Sequence, residues 1–268
     1  MSNNPLTYRD YLQLPVVLSC QQPLAAPQVD DEMLFIIVHQ AYELWFKQLI
    51  GDLERIRNAM LTGHFWLAHH LFGRVYRIQE LLLGQIDVLE TMPRQQFLEL
   101  RDTLGSASGR QSVQYWELEL LSTHQDVPAV ERLPGLSSEE HERLTRRMHE
   151  PSLWDAFIDV VERMGLRTQQ SLPDSLREIS QSPDRYPDVS ALAGDLQEYD
   201  ERAATWRFRH LQMTERFIAT RSGTGGTDGS AYLSRCAARR YYPLLWDSPE
   251  RATSSTVDLC GAGSSGER

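Results

Sequence analysis

An apolar stripe stepping by four and three along Leu192, Leu196, Tyr199, Ala203, Trp206, His210, Met213 and Phe217 commits this part of the chain to one long helix. All eight residues share a face, so His210 is predicted to point inward among apolar neighbours. Two comparable stripes stand earlier. Leu34, Val38, Ala41, Trp45, Leu49, Leu53, Ile56 and Met60 line a helix predicted to run to about Leu61, and Phe35, His39, Tyr42 and Phe46 form a second stripe beside them. The first half of that helix is therefore expected to be buried nearly all round. A further helix from about Phe65 to Glu90 carries Leu71, Val75, Ile78, Leu82, Ile86 and Leu89 inward, and Gly63 before it predicts an antiparallel hairpin.

The punctuation fits the same class. Asp30 and Asp31 are placed to cap the first long helix, and Pro93 forces a break before a short helix holding Phe97 and Arg101. Gly105 to Gly109, reading GSASG, is expected as a flexible or ligand-facing loop, with helix resuming over Ser112 to Leu121. Ser137 and Glu140 form a capping box for a helix toward Met148. Leu153, Phe157, Val160, Val161 and Met164 give a short amphipathic segment that reads as peripheral, and Ser171 to Pro187 reads as a connection. The expected fold is all-α, a helical bundle in a single domain over residues 1–246, with a disordered tail over 247–268 that has little to bury.

Composition excludes several functions. A formal net charge of -10 argues against nucleic acid, whose phosphates are bound through basic surface. Cys20, Cys236 and Cys260 are far apart and odd in number, so neither a disulfide framework nor a CxxC metal knuckle is expected, and a cytoplasmic setting follows. The N-terminus lacks the layout of a secretion signal, and no run approaches the roughly 20 apolar residues of a membrane span. The chain is expected to be soluble, with no membrane partner.

Chemistry gathers at four places. A lone histidine on an apolar face is usually a satisfied core residue. The functional reading of His210 is that one ring nitrogen ligates a metal, foremost a heme iron, while the other is oriented by an acceptor. His39 repeats the motif on another helix, four residues after Phe35, so the two can line one side of a pocket. Arg101 precedes the GSASG loop, where its guanidinium could clamp a carboxylate with two parallel hydrogen bonds or simply pair with Glu99 or Asp102. Thr224 lies in SGTGGTDG, whose glycines permit the close backbone approach of a lid or anion cradle.

Taken together, LTYRDYLQL, DEMLFIIVHQAYELWFKQL, FLELRDTLGSASGRQSVQYWELE, WRFRHLQMTERFI and GTGGTDG resemble, in order and approximate spacing, the tryptophan 2,3-dioxygenase family. The resemblance covers most of residues 6–246 and implies an all-helical homotetramer containing heme b that opens the indole ring of L-tryptophan with O2. It makes His210 the axial ligand of the heme iron and His39 the distal histidine that contacts the indole nitrogen. Phe35 would pack on the indole, Arg101 would hold the substrate carboxylate with Phe97 beside it, and Thr224 would contact the ammonium and carboxylate. Tyr8 and Tyr11 match aromatic residues that reach into a neighbouring subunit's pocket.

Departures from the family pattern are local. Arg110 stands in GRQS where GFQS is usual, and Trp116 in QYW where an arginine is usual; Thr220, Arg221 and Ser222 replace FKR, and Asp228 replaces a serine. These changes leave room for a monooxygenase outcome, in which one oxygen enters indole C2 of a substituted tryptophan, such as a methyltryptophan, to give an oxindole. That route needs an external reductant. A heme sensor or carrier without catalysis is a third reading, weakened by the survival of Phe35, His39, Arg101 and Thr224.

Overall fold

The computed structural model describes residues 5–124, 130, 133, 135–166, 171–218 and 230–246. Among these residues the structure is helical, with no strand. Two short N-terminal helices, α1 (Tyr8–Tyr11) and α2 (Leu14–Val17), bury no residue. They are followed by the long pair α3 (Glu32–Leu61) and α4 (Phe65–Leu89). Next come α5 (Arg94–Leu104), a 3-10 turn at Gly109–Gln111 and α6 (Val113–Ser122). Then follow α7 (Ser138–His149), α8 (Leu153–Arg163) and α9 (Leu172–Gln181). The chain closes with α10 (Pro187–Ile218), α11 (Ser230–Ala238) and α12 (Pro243–Trp246).

The hairpin forms as its sequence predicts. Gly63 takes φ +76, the left-handed conformation that ends α3, and α4 starts two residues later. The α4 helix lies between α3 and α10, while α6 and α8 pack on the remaining flank of α3 and α11 packs on α10. One apolar core runs through the assembly, with Leu53, Ile56, Met60, Phe72, Val75, Leu121, Phe157 and Leu196 each at 0% exposure. No helix among the described residues is long and apolar enough to cross a membrane.

Several expectations need correction. Asp31 occupies the N-cap of α3 but makes no side-chain capping bond, and its backbone N–H donates to Gln96 Oε1 at 2.9 Å, tying α3 to α5. The segment read as peripheral is core, because Leu153, Phe157, Val160 and Val161 fall on one face of α8 that is wholly apolar and closes over α3. Within the stretch read as a connection, Ser171 caps α9, and Leu176 and Ile179 are buried. A small apolar face was enough to fold it, hidden in the sequence by its polar surround. The first half of α3 is not buried all round: Ile37 and Leu44 are exposed, and the side bearing His39 borders a cavity. The tail from 247 lies outside the described residues.

Candidate active site

Residues from α3, α5, the 3-10 turn, α6, α10 and α11 wall a cavity of about 600 Å³. The stripes on α3 and α10 supply most of it. On α3, Phe35 and His39 lie four apart with ring centroids 4.0 Å from one another, followed by Tyr42 and Phe46. Trp206, His210, Met213 and Phe217 answer from α10. Phe97 stacks on Phe217 at 4.7 Å, which fastens α5 to the end of α10 and sets Arg101, one turn further on, into the same wall.

His39 Nδ1 lies 2.8 Å from the backbone oxygen of Phe35. A carbonyl oxygen only accepts, so Nδ1 carries the hydrogen and Nε2 is left with its lone pair. The ring is accessible from the cavity but closely surrounded by protein, and burial lowers its pKa against smaller opposing effects of the Phe35 carbonyl and Glu43. His39 is thus neutral at pH 7, an acceptor suited to an N–H group.

His210 is more strongly perturbed. Burial, with a minor contribution from His39, brings its pKa down to about 4, so it too is a neutral imidazole at pH 7. The accessible part of its ring belongs to the cavity wall. Trp206, one turn earlier, lies parallel to it at 5.4 Å with 7° between planes, and Tyr42 meets Trp206 edge-on at 5.9 Å. The Tyr42 hydroxyl donates to the Leu82 carbonyl at 2.7 Å, so the aromatic wall is tied to α4. Among the described residues no three His, Cys, Asp or Glu side chains converge to hold a bare metal ion. The neutral imidazole of His210, on an apolar, aromatic-walled cavity, instead fits an iron whose other ligands come with a planar macrocycle.

Behind this wall is a buried ionic knot that the sequence does not announce. Arg207 lies 3.7 Å from both Glu119 and Asp200, its guanidinium 4.6 Å over the Tyr241 ring, and its Nη2 donates to the Arg239 backbone oxygen at 2.8 Å. Arg239 pairs with Glu119 at 2.6 Å, and the Tyr241 hydroxyl donates to the same carboxylate. Asp200 also accepts the backbone N–H groups of Tyr241 and Tyr242. The chain returning from α11 is thereby bound to the helix that carries His210. These charges are scattered over the sequence, and no local spacing links them.

Phe35, His39, Phe97, Arg101 and His210 therefore share one cavity. Tyr8 and Tyr11 do not; they sit on α1 at 75% and 72% exposure, away from it. Thr224 lies outside the described residues, as do Thr220 to Ser222 and Asp228. Of the departures that are described, Arg110 and Trp116 both touch the cavity. Trp116 Nε1 donates to the Arg110 backbone oxygen at 2.8 Å, and the Trp116 ring packs into a second small core with Val113, Leu120 and Leu144.

A family model described as Tryptophan 2,3-dioxygenase matches residues 1–172. The chain belongs to the tryptophan 2,3-dioxygenase family. A relative from Nocardioides sp. named tryptophan 2,3-dioxygenase is 47% identical over 247 residues, spanning 90% of this chain and 92% of its own length. Relatives of the same name from Herpetosiphon aurantiacus and Myxococcus xanthus are each 36% identical, covering 90% of this chain and 96% and 88% of theirs. The family match takes in Phe35, His39, Phe97 and Arg101, while His210 stands beyond it. Family membership thus agrees with the resemblance drawn from the motifs, and the fold with the all-helical expectation.

Proposed function

We propose that this chain is a heme-dependent dioxygenase that opens the indole ring of L-tryptophan with O2, giving an N-formylkynurenine-type product. The observation that carries this reading is the pairing, in one apolar cavity, of two neutral imidazoles from different helices with Arg101 on the wall. His210 would hold heme b through the ring nitrogen facing the cavity. Heme, when bound, supplies the iron at which O2 is activated.

The chain's own residues then do the positioning. His39 Nε2 accepts the indole N–H, Phe35 packs on the indole face, and Arg101 takes the substrate carboxylate in a forked pair, with Phe97 bracing α5 beside it. Thr224 is assigned to the ammonium and carboxylate by the family resemblance alone. The aromatic wall of Tyr42, Phe46, Tyr115 and Trp206 excludes water around the reacting carbons. The C2–C3 bond breaks and both oxygen atoms enter the product, so the reaction needs no net reductant.

The single-oxygen outcome is not favoured. The relatives carry the dioxygenase name, and neither of the changed residues that are described, Arg110 and Trp116, points to the other outcome. A catalytically silent carrier is disfavoured on the same ground. The test is turnover of L-tryptophan by heme-loaded protein under isotopically labelled O2, with mass spectrometry of the product. Two labelled atoms are expected, and one labelled atom with an oxindole mass would overturn the dioxygenase reading.

The same reading includes one heme-binding domain over residues 1–246, a homotetramer in which Tyr8 and Tyr11 approach a neighbouring pocket, and a cytoplasmic setting. The exposure of Leu6, Tyr8, Tyr11 and Leu18 supports the second, since an apolar N-terminal segment gains from a covering subunit. The free thiols of Cys20 and Cys236 support the third.

A further inference from the structure

We propose that a second, small cavity is a docking pocket for O2 and supplies the reaction cavity through the wall the two share. This rests on the reading above, that the chain oxidises its substrate with O2. A void of about 50 Å³ lies between α3, α4, α6 and α10. Phe46, Tyr115, Trp206 and Arg207 line both cavities, so one layer of side chains separates them. Phe46 follows His39 by seven residues on α3, which puts the shared wall on the helix face that carries the substrate-facing histidine.

The chemistry of the void suits a neutral diatomic molecule. O2 carries no charge and is a poor hydrogen-bond partner, so it is held by apolar walls around empty room. Leu49, Leu82, Leu118 and Ala203 supply such walls. Voids lined in this way stay dry and take up gases such as xenon. Two polar atoms on the lining, Gln79 Oε1 and Arg207 Nε, have no hydrogen-bond partner among the described residues and can each anchor a water. The leucine faces offer a further water no bond, and there O2 is the better occupant. Location adds to this. The large cavity has to take in a macrocycle and an amino acid together, which leaves little room for a third molecule to wait. The small one also reaches Arg202, whose side chain is 31% exposed and is held by Glu198 at 2.5 Å and Glu80 at 3.0 Å. It therefore extends from a residue in contact with solvent to the wall of the reaction cavity, as an entry route for a gas requires.

The experiment uses the heme-loaded full chain in two ways. Crystals held under xenon pressure are expected to show xenon among Leu49, Leu82, Leu118 and Ala203. Ala203→Leu then fills the void from a position on α10 that lines the small cavity and not the large one. In that variant kcat/KM for O2, and the rate of carbon monoxide association after flash photolysis of the ferrous protein with L-tryptophan bound, are each expected to fall by about tenfold, while Kd for L-tryptophan stays within about twofold of wild type. Ala203→Val, with a smaller side chain, is expected to fall between the two. A pocket filled by water that takes no xenon would overturn the proposal, and this result needs no variant to fold. Unchanged O2 and carbon monoxide rates in Ala203→Leu would overturn it too, as would a parallel loss of L-tryptophan affinity, which would reveal a disturbed wall rather than a blocked route. A wild-type chain that takes xenon at this place yet turns over no L-tryptophan would overturn the dioxygenase reading, and the assignment of O2 with it.

Discussion

His210→Ala is expected to abolish stoichiometric heme binding while leaving the helical content of the chain intact. The imidazole is the one His side chain that α10 contributes to the cavity, and its low pKa keeps it unprotonated and ready to coordinate at neutral pH. Titration with hemin, followed by absorption and by the iron content of the desalted protein, measures the loss; a variant that retains one tightly held heme per chain would refute the axial assignment. The unloaded protein offers a second signature. Because the folded-state pKa of His210 is about 4, below its usual 6.5, the unfolded chain binds a proton between those values that the folded chain refuses. Stability therefore falls as pH drops through that window, by at most about 1.4 kcal/mol per pH unit from this group. Denaturant melts at several pH values should show a shallower slope in His210→Ala; His39, whose pKa is shifted in the same direction, and the shifted carboxylates supply what slope is left.

Arg101→Leu is expected to lower kcat/KM for ring opening by about 100-fold or more, since removing one partner of a desolvated charge pair costs about 2–5 kcal/mol. The side chain lies on the last turn of α5, a helix that the Phe97–Phe217 stack and the hydrogen bond from the Asp31 backbone to Gln96 also hold in place. Heme binding should accordingly be unchanged. Arg101→Lys restores the charge without the fork and should fall between the two. Steady-state kinetics with L-tryptophan decide the matter, and an Arg101→Leu enzyme with wild-type kcat/KM would remove Arg101 from the substrate site.

The two histidines of the pocket are legible in the sequence because periodicity places them. The stripes from Leu192 to Phe217 and from Phe35 to Phe46 put His210 and His39 on inward faces by spacing alone, and the packing of α3 near α10 brings them to one cavity. Periodicity also marks the hairpin, since Gly63 falls where the inward pattern stops. It fails where burial depends on distant partners. Leu153 to Val161 and Leu176 with Ile179 are short apolar faces, and only the presence of α3 and the core beside them decides that they are buried. Exposure of Ile37 and Leu44 is the converse case, apolar residues left uncovered by the chain itself. The Arg207–Glu119–Asp200–Arg239 knot is invisible for another reason: its members come from three separate segments, and charge type alone does not reveal pairing.

The 32-residue length of α10 puts residues of the deep core and a residue of the pocket on one element. Leu192 and Leu196 are set deep in the core, whereas His210 stands 14 positions beyond Leu196, about 21 Å further along the axis at 1.5 Å per residue. Such a helix is a lever with its fulcrum in the core, steadied beyond His210 by the Phe97–Phe217 stack. A tilt of only about 3° at the Leu196 end would carry the His210 ring sideways by about 1 Å, enough to matter for a reaction that depends on close alignment. Repacking around Leu192 and Leu196 thus becomes a means of adjusting the pocket from a distance, with no change to any residue that touches it.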